Sequence, residues 1–413
     1  MRHLLKERAL TKPAPLVIDE AYLRDPFPKL DELRNHDPVH WVPSLNSWLV
    51  TRYDDVRALF ADPRMSRDRK LSEHYVEPQP GTWAYRFDRE SFAVASPDDH
   101  RAWRSSIAAA FKPKAVARME QQVREVVELF AAPLRGRTGI VDLIAEFTNP
   151  IPNTVISRIT GIPPYPGDED RFRSLAQDVI RRFILYAETE HMERGERAIS
   201  ELAEWVGKLA DDRRQLPQGD MISDLIHREH GEAGMNNDEI VMLIAGLVAA
   251  GSETTSLGGS TALRLLFEHP EQLERLRAEP DLTLNAARET LRFEFGSATA
   301  GMARHALEDV ELRGKTIRKG QQVMLSSAAA HRDPELYPNP HAFDISRDTS
   351  ETLAFGHGPF YCIGANLALQ EMTCMLDAAL DFIPPDASLR KDDVQWETIG
   401  LMRRPVNLPV DFG

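Results

Sequence analysis

Cysteine is scarce. Cys362 and Cys374 are the only two in 413 residues, which excludes a disulfide framework and a four-cysteine zinc site and fits a reducing compartment. Long apolar runs are missing too. The opening "MRHLLKERALTKPAPLVIDE" has too short an apolar stretch for a signal peptide, and no later segment reaches the roughly 18–20 uncharged apolar residues of a membrane span. No Gly/Ser linker, low-complexity tract or fixed-period repeat divides the chain, so a single domain over 1–413 is expected. Basic residues are outnumbered, 50 against 64 acidic, and the net charge of -14 argues against broad nucleic-acid binding. These absences predict a cytoplasmic globular protein without a membrane anchor, expected as a monomer, whose 42% hydrophobic content suffices for a large core.

What is present is mostly helical periodicity. Apolar residues recur at three- and four-residue spacing in 117–134, 196–210, 261–268 and 365–380. β-Branched and aromatic runs near both ends predict hairpins of a minor sheet: "VHWV" and "SWLVT" around Leu45-Asn46, then "DVEL", "KTIR" and "QQVML" separated by Arg313-Gly314 and Lys319-Gly320. The expected fold is mainly α, a large helical body with a small β-rich portion.

The longest predicted helix, 238–268, opens at "NNDE", where Asn or Asp can cap and the acids suit the positive end of the helix dipole. From Ile240 to Ala250 it is apolar on every face, as a buried helix is. "AGSETT" at 250–255 breaks that pattern, because a buried Glu253 or Thr254 is costly unless hydrogen-bonded or in contact with water. A Thr bonded back to its i−4 carbonyl and a Glu on an exposed stripe would explain the pair without any function. Alternatively, Gly251 and the polar run loosen the helix beside a ligand and form the wall of an active-site groove.

Cys374, inside the helical run 365–380, reads as a small buried hydrophobe. Cys362 differs. In "LAFGHGPFYCIGANLALQEM" it precedes a helix whose first amides favour a thiolate, and glycines 356, 358 and 364 let backbone N–H groups crowd the sulfur. Nucleophile, zinc ligand and haem ligand all remain open on these residues alone, although the neighbouring His357 and Tyr361 supply too little for zinc.

The same loop, through Phe355, Gly356, Gly358, Cys362 and Gly364, resembles the cysteine loop of the cytochrome P450 family. "AGSETT" is similar to that family's oxygen-activating helix, "ETLR" at 289–292 to its Glu-x-x-Arg pair, and "FDISR" ending at Arg347 to the arginine that completes the ion-pair cluster. "DDHRAWR" adds His100 and Arg104, and "GMARHALEDVEL" adds Arg304, where similar bacterial proteins hold haem propionates.

The resemblance implies a P450-like fold with haem between the long helix and the cysteine loop. It implies a b-type haem (iron protoporphyrin IX) with Cys362 as axial thiolate, donating electron density that favours O–O cleavage. Ala250, Gly251, Phe355, Gly356 and Gly364 would sit against the cofactor. Thr254 would position a water beside bound O2 and Glu253 would link it to solvent, while Glu289, Arg292 and Arg347 would be structural. The implied reaction inserts one oxygen atom of O2 into a hydrophobic small molecule (a terpenoid, steroid or polyketide), with electrons from a ferredoxin. A peroxide-driven peroxygenase and a non-catalytic haem sensor or carrier are the alternatives, and neither needs the Glu253-Thr254 pair. By the same analogy the substrate walls lie in 72–96, 172–195, Leu247–Thr255, Gly296–Met302 and Ile399–Met402, and the small residues of "GSATAG" suggest a bulky substrate. One position departs from the family. Residue 360 usually carries His or Arg for a propionate and is Phe360 here, which cannot donate a hydrogen bond and shifts that load to His100, Arg104 and Arg304.

Overall fold

The computed structural model describes residues 16–91, 97–108, 110–163, 169–184, 186, 188–227, 234–294 and 302–413. Its central feature is a helix that runs unbroken from Asn237 to Glu268. A capping box starts it: the Asn236 side chain accepts from the Glu239 amide at 3.0 Å, and the Glu239 carboxylate accepts from the Asn236 amide at 2.8 Å. Ile240 through Ala249 are all buried, and the helix packs against Pro150–Thr160, Glu169–Arg181, Thr189–Gln215, Thr283–Phe293 and Ala365–Phe382. By length and composition it could cross a membrane, yet 83% of its most apolar window is buried inside the protein, as in a core helix.

The expected loosening at Gly251 does not occur. The helix continues through it, and a Cβ there would meet Ile156 at an ordinary 3.6 Å. The glycines that matter to packing come later. A Cβ at Gly258 would lie 2.9 Å from the Met372 sulfur, and one at Gly259 2.8 Å from the Met375 sulfur. Without side chains at these two positions, the central helix lies close against Ala365–Phe382, the helix that the cysteine loop leads into.

The strands come from distant parts of the chain. Val39–Val42 and Ser47–Val50 form the expected hairpin around a left-handed Asn46, and Val310–Leu312 pairs with Lys315–Ile317 across left-handed Arg313 and Gly314. The third expected partner, Gln322–Leu325, does not continue that hairpin. It pairs parallel with Ser47–Val50 and antiparallel with Met302–Ala306, in a five-stranded sheet whose far edge is Met65–Ser66. The turn explains the switch: left-handed Gly320 directs its amide to the Ala306 carbonyl at 2.7 Å, so the chain folds back onto the earlier strand.

A buried ion cluster fixes the segment leading to the cysteine loop. Arg292 holds Glu289 with two hydrogen bonds of 2.7 and 2.8 Å, and Arg347 Nε reaches the same carboxylate at 3.3 Å. Arg292 also donates to the carbonyls of His331, Pro340 and Ala342, while Arg347 donates to those of Pro338 and Asn339. His331 in turn accepts the Leu353 amide at 2.8 Å, and burial pushes its imidazole down to about 3, so it stays neutral in this role.

Candidate active site

Cys362 and the polar segment of the central helix meet in one cavity of about 1030 Å³, lined mainly by apolar side chains such as Phe87, Phe183, Leu247 and Leu401. Small-molecule sites usually span ~300–1,000 Å³, so this one has room for a cofactor together with a substrate.

The cysteine loop is shaped by its own glycines. The Gly356 amide donates to the Leu353 carbonyl and the Cys362 amide to the Phe355 carbonyl, both at 2.9 Å. Gly356 and Gly358 have φ of +74° and +73°, and a Cβ at Gly358 would press to 3.0 Å from Ala61 on the helix Tyr53–Ala61. Phe355, Cys362 and Gly364 line the cavity; Gly356 does not, and acts on the loop's course instead. Cys362 is exposed toward this space, whereas Cys374 is buried, with its thiol pushed up to about 12 by burial. Burial raises the Cys362 pKa as well, while the Gly364 and Ala365 amides and the Arg104 charge pull it down. The balance is upward, so a thiolate here calls for a cationic partner at the sulfur. Among the described residues no cluster of three or more His, Cys, Asp or Glu could hold a metal ion. That leaves Cys362 as a lone protein ligand, which suits haem better than zinc.

A cationic rim borders the same cavity. His100 and Arg104 stand on the helix Pro97–Ile107, and Arg304 on the strand Met302–Ala306. Arg104 donates to the Tyr361 carbonyl at 2.6 Å, beside the cysteine. Burial, then the Arg67 and Arg104 charges, push the His100 imidazole down to about 4. Burial followed by Arg67 pushes Arg304 down to about 9, and its buried Nε has no hydrogen-bond partner.

On the central helix, Ala250, Gly251 and Thr254 line the cavity and Glu253 does not. The Thr254 hydroxyl donates to the Ala250 carbonyl at 2.6 Å, the i−4 bond that the sequence left open. Its proton is thereby committed, and its oxygen lone pairs are left to accept from a ligand. Glu253 is buried and turned toward Arg404 of the strand Met402–Pro405 and toward Arg181, 3.8 Å away. Neither carboxylate oxygen has a well-aligned hydrogen bond, so burial raises the Glu253 pKa despite Arg404 and Arg181 pulling it down. Both arginines also pair with the more exposed Glu397, which leads the chain of charges outward.

Four of the five expected wall segments supply lining residues, including Val76, Ile180, Leu247 and Met402. Of the fifth, "GSATAG" at 296–301 lies outside the described residues.

The family model described as cytochrome P450 matches residues 40–382. The chain belongs to the cytochrome P450 family. It is 32% identical to the cytochrome P450 monooxygenase PikC of Streptomyces venezuelae, over 97% of this chain and 95% of that protein. It is 29% identical to the polyketide biosynthesis cytochrome P450 PksS of Bacillus subtilis (strain 168), over 94% of this chain and 96% of that protein. The solved structure of CalO2 superimposes with a TM-score of 0.86 at 30% identity, covering 96% of this chain and 98% of that one. The protein is thus a haem-dependent P450 monooxygenase of mainly α fold. Its cavity fits haem: an apolar slot with one thiol on its wall, and a buried arginine nitrogen without a partner on its rim.

Sequence reasoning missed several residues of this P450 site: Arg67 on the cationic rim, Arg181 and Arg404 at Glu253, and His331 under the cysteine loop. Only the Phe360 substitution hinted at the first, by asking for a cation from elsewhere. Nothing local in the sequence separates the other three from surface charges.

Proposed function

We propose that the Cys362 thiolate would hold a b-type haem in this enzyme, which inserts one atom of O2 into a bulky apolar small molecule of polyketide or macrolide type, with electrons from a ferredoxin. The observation that carries this reading is the shared cavity, with Cys362 on one wall and Ala250 and Thr254 on another. When bound, haem supplies dioxygen binding and the oxidant. The chain supplies the rest. Its apolar walls desolvate the substrate. PksS is named for polyketide biosynthesis, and one solved neighbour at 27% identity and TM-score 0.84 holds epothilone D.

Proton delivery falls to the central helix. Thr254, its own proton held by Ala250, accepts a hydrogen bond from a water or ligand and so holds a proton near the reacting face. Glu253 has a raised pKa and can carry a proton inward once it leaves Arg404, recharging from water on the side of the more exposed Glu397. With surrogate ferredoxin and reductase, product and hydrogen peroxide per nicotinamide oxidised test this. Thr254→Ala is expected to lower the product share roughly tenfold or more, with peroxide replacing it, and Glu253→Gln to slow turnover about a hundredfold at unchanged haem content. Unchanged coupling in Thr254→Ala removes Thr254 from the mechanism. Substrates are found by difference spectra against a lipophilic library.

For the donor, Lys112, Lys114 and Arg118 are exposed on and beside the helix Pro113–Arg118, which packs against Ala365–Phe382 on the cysteine side. Docking of an acidic ferredoxin here is screened once the Debye length falls below about 10 Å. Stopped-flow reduction of the ferric haem should slow with added salt, and Lys112→Glu with Lys114→Glu should slow it several-fold at low salt. A salt-independent rate, or an unchanged one in the double variant, moves the docking site elsewhere.

A further inference from the structure

The family position that normally neutralises a propionate is Phe360 in this chain, and the structure places a different cation on that spot. The Arg67 guanidinium lies over the Phe360 ring, 4.2 Å from its centroid, and the His100 ring meets the same phenyl edge-on at 4.6 Å. Arg67, Phe360 and His100 all line the cavity.

Sheet register brings a second arginine alongside. The edge strand pairs Met65 with Ala306 and Ser66 with His305, so Arg67, the first residue past its end, falls near Arg304. Like charges placed opposite one another destabilise a sheet edge unless an anion lies between them. The two do repel: Arg67 is the second cause, after burial, of the drop in the Arg304 pKa, and Arg104 plays that part for Arg67, which falls to about 10. A chain with a net charge of -14 has therefore gathered three arginines at one cavity rim, next to its exposed cysteine. Such an arrangement suits a ligand carrying more than one negative charge. Haem brings two carboxylates.

We propose that Arg67 holds a haem propionate, taking over the role that Phe360 cannot perform, with the Phe360 ring as the shelf that positions its guanidinium. This assignment rests on the haem reading above. It also explains how a phenyl group is tolerated at 360: the cation arrives from the edge strand, across the ring, instead of from the cysteine loop.

The test compares wild type, Arg67→Gln and Arg67→Lys as purified holoproteins, measuring haem transfer to a haem-scavenging apoprotein and the ferric/ferrous reduction potential. Arg67→Gln should release haem about ten- to hundredfold faster, the usual worth of a charge-assisted hydrogen bond. Its potential should fall, because the removed cation stabilised the more negative ferrous state. Arg67→Lys, which keeps the charge, should stay close to wild type in potential. Wild-type release and potential in Arg67→Gln overturn the proposal, as does a potential in Arg67→Lys lowered as far as in Arg67→Gln, which would make the residue a packing element. The carbon monoxide spectrum of the wild type separates the two levels. A thiolate-type band with an unaffected Arg67→Gln sinks only this assignment, whereas a wild type without that band sinks the haem-thiolate reading itself.

Discussion

Replacing Cys362 with serine is expected to abolish the strongly red-shifted Soret band that reduced, carbon monoxide-treated protein shows when a thiolate binds the iron. The effect should be all or nothing, because Cys362 is the one cysteine that lines the cavity, and no described cluster of His, Cys, Asp or Glu offers an alternative site. Cys374→Ser is the internal control: that thiol is buried in the helix Ala365–Phe382, so its replacement should leave the band in place. A histidine-type band in freshly purified wild type, or a surviving red-shifted band in Cys362→Ser, would refute the ligand assignment.

The second large effect is on stability. Arg292→Ala leaves the Glu289 carboxylate buried with the 3.3 Å contact to Arg347 and the Asp344 amide at 3.0 Å, and should cost about 3–5 kcal/mol, a large share of the ~5–15 kcal/mol that holds a typical domain folded. Urea titration and the haem-to-protein ratio read it out, and haem should be lost before any kinetic change can be measured. The usual remedy, removing both charges, should fail here. In Glu289→Leu with Arg292→Leu the His331 carbonyl loses its donor, those of Pro340 and Ala342 keep only Arg332 and Arg347, and the Asp344 amide loses the carboxylate it donates to, where a simple ion pair would strand none. A double variant as stable as wild type would show that the cluster is an ordinary pair and not the anchor of the segment 331–347.

Local pattern determined much of this protein. The central helix was legible because its cap and its all-round apolar run are properties of consecutive residues, and the structure starts it at Asn237 against an expected 238. The cysteine loop was legible for a similar reason: Gly356 and Gly358 must adopt positive φ, a demand that only glycine meets cheaply, so the loop's shape is written in its residues. The Glu289-Arg292 pair is one helical turn and was readable too.

What the tertiary structure alone decided is where side chains from distant segments meet. Strand Gln322–Leu325 abandons its neighbour because hydrogen-bond partners from residues 47–50 and 302–306 are within reach in three dimensions, which no local propensity encodes. The Glu253 side chain turns to Arg404 and Arg181 and away from the cavity, because a buried carboxylate takes the cations that packing supplies, whatever its spacing from Thr254 suggests. Arg67 is the clearest case. Among 50 basic residues its sequence neighbourhood is unremarkable, and it is set apart only by the register of a two-residue edge strand that brings it beside Arg304 and over Phe360. Helix starts and left-handed turns are short-range, so sequence reports them. Charge partners are fixed by the summed packing of the chain, so only the folded protein names them.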